Sequence, residues 1–225
     1  MKYSLAKEIN FTPQAMFPTE KDPLPPPAES EEPDETGEEV EGEEGELQKL
    51  ENFTGVLREG VVEIADPSAS DSLHQQSYFG EQSNEGVLRL APEEVLVLHE
   101  RKRLQVVDEN GDEQSFDALL KYFSENMPNL WILYLVYRDL RTRGYIVRRG
   151  MGDGIDYRVY KRGAKKGTDE AKYLIFTVVE GKPLELRVLD KITKYSISSR
   201  KKLVLAVVDR LGEITYYSVD QYNLK

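Results

Sequence analysis

The 225-residue sequence contains no cysteine, which excludes disulfides, thiolate metal ligands and cysteine nucleophiles. It has no uninterrupted apolar run approaching the roughly 18 residues typical of a membrane span, and its first residues lack the apolar core of a signal peptide. We therefore expect a soluble, cytoplasmic protein with no membrane partner. Histidine is scarce, with two residues in the chain. We expect His74 and His99 to lie at the surface or at the edge of a core, without a catalytic role.

Charge is distributed unevenly along the chain, whose net charge is −11. Residues 20–46 hold thirteen acidic residues and one lysine, whereas residues 130–225 hold twenty basic and eleven acidic residues. A basic half is the electrostatic requirement for contact with a phosphate backbone. A basic surface that is merely solvated is an equally open interpretation of the same pattern.

The first 48 residues have the composition of a disordered segment. A proline cluster at residues 23–27 is followed by ESEEPDETGEEVEGEEGE, which has little apolar surface to bury and strong self-repulsion. We predict a disordered acidic tail over residues 1–48. A solvated extension is favoured over a segment that mimics phosphate or shields the basic half.

A small mixed α/β domain is predicted over residues 51–127. The alternating runs FTGVL and VVEIA predict a hairpin that turns at Glu59–Gly60. The segment VLRLAPEEVLVLHERKRLQVV predicts a strand, a helix with Pro92 in its first turn, and a second strand. Ser115 precedes an apolar stripe at helical spacing, and it is the expected N-cap of a second helix.

The pattern of residues 130–225 predicts the order helix, three strands, helix, two strands. LWILYLVYRDLRTRG is expected to form a helix that Gly144 stops, with Trp131 and Leu135 on its buried face. KYLIFTVV is nearly all apolar, as in a central strand that is buried on both faces. The last two strands are predicted to form a hairpin across residues 209–212. The whole chain therefore has the pattern of a mixed α/β (α+β) fold with two domains.

The segments YLVYRDLRTRGYIVRRG, DYRVYKRG and SRKKLVLAVVD closely resemble the C-terminal catalytic domain of the archaeal tRNA-splicing endonuclease family. FTGVL, VLRLAPEEVLVLHERKRLQVV and SFDALLKYF resemble its N-terminal domain, so the likeness covers residues 51–225. The resemblance implies a restriction-endonuclease-like C-terminal domain with a central mixed sheet flanked by helices. It also implies cleavage of precursor tRNA at bulge-helix-bulge splice sites, without a metal or other cofactor, leaving 2′,3′-cyclic phosphate and 5′-hydroxyl ends.

The same resemblance implies three catalytic positions: a tyrosine base, a histidine acid and a lysine that stabilises charge on the phosphate. The tyrosine corresponds to Tyr160 and the lysine to Lys201, but Glu170 occupies the histidine position. A carboxylate in water is ionised at neutral pH, so it has no proton to donate, and it repels phosphate. We therefore expect a structural subunit that binds precursor tRNA and a catalytic homologous subunit, in a dimer or an α2β2 tetramer.

Three further basic residues are expected to bind RNA. Lys194 stands where catalytic subunits of the family carry an arginine that grips a bulged base. Arg200 and Lys202 flank Lys201 in the basic turn. The stretch before this turn, TKYSIS, departs from the family pattern, which has a histidine there.

The end of the chain is expected to contact another subunit. Asp209 and Glu213 flank the turn between the last two strands, which in the family docks on the opposing dimer. Tyr216, Tyr217 and Tyr222 are expected at a subunit interface, in preference to stacking on bases or packing within the sheet.

Two alternatives stay open at this point. In the first, the chain cuts RNA itself with Tyr160 and Lys201, and Glu170 or water serves as the acid. The second is a metal-dependent nuclease, in which Asp156 and Glu170 would hold magnesium and Lys172 would polarise the phosphate.

Overall fold

The computed structural model describes residues 9–13, 52–84, 86–152, 154–164 and 169–221. These residues form two mixed sheets and five α-helices, which confirms the predicted mixed α/β fold. The longest of these helices have 13 residues, fewer than the roughly 20 that a bilayer requires. None of the helices described could therefore cross a membrane.

The first sheet contains strands from residues 53–107. In chain order, the elements of the first part are β1 Ile9–Pro13, β2 Phe53–Arg58, β3 Val61–Ile64, α1 Pro67–Asp71, a π-helical turn Ser72–Gln76, β4 Glu81–Gln82, β5 Leu88–Leu90, α2 Pro92–Glu100, β6 Leu104–Val107 and α3 Phe116–Ser124. The strand order in the sheet is β4-β5-β3-β2-β6. Glu59 and Gly60 both have positive φ between β2 and β3, as a tight hairpin requires, which confirms the predicted turn. Ser115 caps α3, since its Oγ accepts from the N–H of Ala118 at 3.3 Å.

The second sheet has the order β1-β11-β10-β9-β8-β7. Its remaining elements are α4 Leu130–Thr142, β7 Ile146–Gly152, β8 Ile155–Tyr160, β9 Tyr173–Val179, α5 Leu186–Ser198, β10 Lys202–Val208 and β11 Ile214–Gln221. β9 and β10 run parallel, and the other neighbours are antiparallel. The predicted order of elements in this half is thereby confirmed.

Helices α4 and α5 cover opposite faces of the second sheet. Along β10, Val204 and Ala206 belong to the core cluster that includes the buried side of α4. Leu203 and Leu205 belong to the second cluster, with Leu189 of α5. This alternation is what a strand buried on both faces requires.

Two placements differ from the sequence-based predictions. Residues Ile9–Pro13 pair with β11 although they fall in the predicted disordered tail, because the unpaired N–H and C=O groups of an open strand edge accept another strand. The rest of that tail, residues 1–8 and 14–48, lies outside the described residues. Trp131 is 45% exposed, because the buried stripe of α4 begins at Leu130 and leaves Trp131 at its margin.

A buried polar seam joins the two sheets. Glu93, in the first turn of α2, accepts two hydrogen bonds from the Arg149 guanidinium of β7, at 2.7 Å and 2.6 Å. Glu94 accepts from the N–H of Gly80 at 3.1 Å and from the hydroxyl of Tyr137 in α4 at 3.4 Å. A buried carboxylate is costly without such partners, so these bonds fix one sheet against the other.

Removal of Arg149 would leave the buried Glu93 carboxylate without its partner. We expect Arg149→Ala to lower the free energy of unfolding by about 2 kcal/mol, less than the roughly 3–5 kcal/mol of a fully buried pair, because Arg149 is partly exposed. The double variant Glu93→Leu with Arg149→Met is expected to lose less, since it removes both charges. Urea denaturation measures both changes. A larger loss in the double variant would contradict this account.

Burial raises the pKa of Glu94 above its ordinary value of 4.5, and the nearby Glu93 carboxyl raises it further, against the backbone N–H groups that lower it. A carboxyl with a higher pKa in the folded chain stabilises the fold below the unfolded pKa, and this stabilisation is lost as pH rises through the folded pKa. We therefore expect the side-chain carboxyl of Glu94 to titrate above pH 4.5 in an NMR titration. Its signal is identified because it is absent from the spectrum of Glu94→Gln. A midpoint at or below 4.5 would refute the burial argument.

Candidate functional site

Three segments of the second sheet bring the predicted catalytic positions to one edge. Tyr160 is the last residue of β8, Glu170 lies three residues before β9, and Lys201 immediately precedes β10. The first residue of β9, Tyr173, pairs with both β8 and β10. The end of β8 therefore meets the starts of β9 and β10 at the same edge.

Glu170 and Lys201 form an ion pair at this edge. Oε2 of Glu170 lies 3.6 Å from Nζ of Lys201, and the two side chains are 88% and 20% exposed. The Lys201 ammonium also donates to the carbonyl oxygen of Ser199 at 3.1 Å. A phosphate that approached this ammonium would compete with the Glu170 carboxylate for the same charge.

The turn that ends α5 holds the backbone of Lys201. The N–H of Arg200 donates to the carbonyl of Ile197 at 3.1 Å, and the N–H of Lys201 donates to the carbonyl of Ser196 at 2.9 Å. This bond pattern is a Schellman motif, in which the residue after the cap is left-handed. Arg200 has φ 57°, a conformation that costs a residue other than glycine roughly 1–2 kcal/mol. Glycine at this position would relieve the backbone strain, but the chain has the exposed, charged Arg200 instead.

Tyr160 lines a cleft of about 440 Å³ between the two sheets. His74, from the π-helical turn, lines the same cleft. Its Nδ1 lies 3.1 Å from the carbonyl oxygens of both Phe79 and Gly80, so Nδ1 carries a proton and donates. The fold therefore brings His74 to the cleft that Tyr160 lines, although the two residues are far apart in the sequence. Its bonding is that of a residue at the edge of a core, as predicted.

The other histidine belongs to the first sheet and its helices. Nε2 of His99 lies 3.2 Å from the carbonyl oxygen of Gln114, and its ring centroid lies 6.2 Å from that of Phe116. These contacts tie α2 to the segment before α3. His99 has a packing environment, and it is not among the residues that line the Tyr160 cleft.

The two carboxylates required for a magnesium site, those of Asp156 and Glu170, lie too far apart to bind one ion. Asp156, at the start of β8, accepts a hydrogen bond from the N–H of Thr177 at 2.6 Å. Glu170 lies seven residues before Thr177, which corresponds to about 20 Å along an extended chain. Asp156 and Glu170 therefore sit at opposite ends of the sheet. The metal-dependent alternative, which needs both carboxylates with Lys172 in one site, is contradicted by this geometry.

The predicted RNA-binding residues occupy the α5 end of the same edge. Arg200 and Lys202 are exposed on either side of Lys201. Lys194, one turn before the end of α5, is exposed and lies 2.5 Å from Asp190. Arg200 and Lys202 thus present exposed side chains next to Lys201 in the chain, whereas Lys194 already has a carboxylate partner.

The turn between β10 and β11 is organised by Asp209. Its Oδ1 accepts from the N–H groups of Leu211 and Glu213, both at 2.8 Å. Glu213 is exposed. Asp209 thus shapes the turn, and Glu213 is presented at its surface.

Tyr216 differs from the interface residue that the sequence suggested. It is 7% exposed, and its hydroxyl donates to Oδ2 of Asp139 in α4 at 2.7 Å. The reason is the alternation of β11, which directs Tyr216 towards α4. Tyr217 faces the other way, where it is half-buried against the α5 cluster. Tyr222 lies outside the described residues.

Comparisons with known proteins cover both halves of the chain. The family described as tRNA intron endonuclease, catalytic C-terminal domain, matches residues 130–216, and the N-terminal domain of tRNA intron endonuclease matches residues 53–120. The chain is 34% identical over 166 residues to a tRNA-splicing endonuclease of Methanothermobacter thermautotrophicus, which covers 74% of this chain and 95% of that protein. Over 152 residues it is 35% identical to that of Thermococcus onnurineus, covering 68% and 86% of the two chains. The match to the protein of Methanococcoides burtonii, 34% identical, covers 72% of this chain and 45% of that longer protein.

The strained turn at Arg200 gives a test with a matched control. Arg200→Gly is expected to raise the free energy of unfolding by about 0.5–1 kcal/mol, because glycine adopts the left-handed conformation freely. Lys102, with φ 54°, ends α2 in the same motif, since the N–H of Arg103 donates to the carbonyl of Leu98 at 2.9 Å. Lys102→Gly should therefore give a similar gain in urea denaturation.

The two variants are expected to differ in RNA binding. Arg200→Gly should weaken binding to an intron-containing tRNA transcript and reduce the slope of log K against log salt by about one. Lys102→Gly, in the turn between α2 and β6, should leave that slope unchanged. If both variants give the same slope, Arg200 does not contact phosphate.

Proposed function

Because this chain belongs to the tRNA intron endonuclease family, we propose that it is the structural subunit of a tRNA-splicing endonuclease. The enzyme removes introns from precursor tRNA by cutting at bulge-helix-bulge splice sites, and it leaves 2′,3′-cyclic phosphate and 5′-hydroxyl ends. A homologous subunit with the complete catalytic set performs the cleavage. This chain holds that subunit in place, in a dimer or an α2β2 tetramer, and contributes basic surface to the RNA.

The ion pair of Glu170 and Lys201 is the observation that supports a structural role. Cleavage by the 2′-hydroxyl requires a group that protonates the leaving 5′ oxygen in the transition state. The Glu170 carboxylate instead forms an ion pair with the Lys201 ammonium at 3.6 Å, and it stands where the resemblance implies the histidine acid. Its charge also opposes the negative charge that develops on the phosphate, and it offsets the Lys201 cation that would stabilise it.

A catalytically active chain is the second candidate. It is favoured by the presence of Tyr160 and Lys201 at the same sheet edge, where they would serve as base and as phosphate-stabilising cation. Glu170 or a water molecule would then have to supply the proton.

Incubation of the purified chain with an intron-containing tRNA transcript separates the two candidates. The structural subunit should leave the transcript intact, whereas a complex co-expressed with a histidine-bearing homologue should cut it. The mass of that complex distinguishes a dimer from a tetramer. Cleavage by the purified chain alone that persists with a chelator present would overturn the structural role and establish the second candidate.

Restoring an imidazole at the edge tests the role of this one position. We expect Glu170→His to give the chain detectable cleavage, because a histidine with an ordinary pKa of about 6.5 can donate a proton near neutral pH. This activity should fall as pH rises through that value. Glu170→Gln, which removes the charge without adding an acid, should stay inactive. If Glu170→His is also inactive while folded, the lack of cleavage has another cause.

A further inference from the structure

The cleft beside Tyr160 has a second wall that the proposed function does not use. The C-terminal sheet supplies one wall through β7 and β8, and residues 78–82 of the N-terminal part supply the other. Its volume of about 440 Å³ falls within the roughly 300–1,000 Å³ of sites that enclose a small ligand. The cleft is therefore large enough to hold a small ligand next to Tyr160.

Two arginines face each other on the sheet wall. Arg148 of β7 lies opposite Arg158 of β8, as Ile146 lies opposite Tyr160, so all four side chains leave the same face. Like charges directly opposite one another weaken a strand pair. Among the residues that the structure describes, neither guanidinium lies within 4.0 Å of a carboxylate oxygen. This arrangement suits an anion that binds between the two arginines.

Backbone carbonyls hold both guanidiniums in place. Arg148 donates to the carbonyl oxygen of Gly80, and Arg158 donates through Nε to the carbonyl oxygen of Arg149 at 3.0 Å. These bonds orient the arginines through neutral acceptors, although Arg148 also interacts with the buried Glu94 carboxyl, whose pKa it lowers. Glu81 and Asp169 also line the cleft, but both are exposed, whereas the arginines are half-buried. Negative charge therefore lies towards solvent and positive charge on the sheet.

The opposite wall presents an aromatic residue from a firmly held loop. The His74 Nδ1–H donates to the carbonyl of Gly80 at 3.1 Å, and Arg141 donates to the carbonyl of Ser77 at 2.6 Å. Tyr78, between these two anchors, has φ 59° and lines the cleft. The N–H of Phe79 donates to the carbonyl of Leu73 at 2.8 Å, so the end of the π-helical turn imposes this left-handed conformation and fixes the position of Tyr78.

We propose that this cleft binds one nucleotide of the precursor RNA adjacent to the Tyr160 edge. Arg148 and Arg158 hold its phosphate, and the ring of Tyr78 stacks on its base. The proposal rests on the proposed function, since that function brings precursor RNA to the basic surface of this chain. A phosphodiester matches the planar donors of paired arginines, and an exposed base matches an aromatic ring. The N-terminal part of the chain then takes a direct part in RNA recognition.

Binding of the full chain to a fluorescently labelled, intron-containing tRNA transcript tests the cleft without relying on cleavage. Tyr78→Asn removes the ring but keeps a side chain that tolerates the left-handed conformation; it should weaken binding about tenfold. Tyr78→Phe, which keeps the ring, should retain most of the affinity. Tyr122→Asn removes an exposed ring of α3 outside this cleft and should bind like the unchanged chain.

A second variant addresses the phosphate. Arg158→Gln should weaken binding and reduce the slope of log K against log salt by about one. If the unchanged chain binds the transcript and folded Tyr78→Asn and Arg158→Gln bind equally well, the cleft proposal is overturned while the proposed function stands. If the unchanged chain does not bind the transcript at all, the proposed function itself fails.

Crosslinking gives a readout that needs no variant. An intron-containing tRNA transcript in which 4-thiouridine replaces uridine should attach on irradiation to residues 77–82 of this chain. Attachment confined to other segments would place the nucleotide elsewhere and would overturn the cleft as its site.

Discussion

Buried carboxylates in the first turn of α2 hold the two sheets of this chain against each other. Glu93 accepts two hydrogen bonds from the Arg149 guanidinium in β7, and Glu94 accepts one from the hydroxyl of Tyr137 in α4 at 3.4 Å. Since each carboxylate is costly to bury without these partners, the two sheets cannot separate without losing the bonds together. Arg148, next to Arg149 in the same strand, bonds back to Gly80. The same contact therefore sets the width of the cleft.

The candidate site depends on that arrangement and on the topology of the second sheet. Antiparallel pairing of β8 with β9 and parallel pairing of β9 with β10 carry Tyr160, Glu170 and Lys201 to one edge from segments distant in the chain. The left-handed turn at Arg200 then positions Lys201 beside Glu170. The candidate site is thus assembled by backbone pairing and helix capping, and none of these interactions depends on which side chain stands at position 170.

Local signals predicted most of this fold. Apolar periodicity and capping residues such as Ser115 identified the hairpin, four of the helices and the order of the last seven elements. These features depend on residues that are close together in the sequence. The elements between residues 65 and 86 were not predicted, since they are two to five residues long and depend on distant contacts such as those of Arg141. The pairing of residues 9–13 with β11 and the inward face of Tyr216 are likewise set by tertiary packing, which periodicity does not specify.

The three predicted catalytic positions differ in how strongly the fold constrains them. Lys201 is largely buried and bonds to the carbonyl of Ser199, and Tyr160 is a half-buried residue of β8, paired with Ile146. Both side chains are therefore partly enclosed by the fold. Glu170 is 88% exposed, so the residue at that position is free to change with little cost to stability. The proposed structural role fits this difference, because the position at which the resemblance implies a proton donor is the one of the three that the fold constrains least.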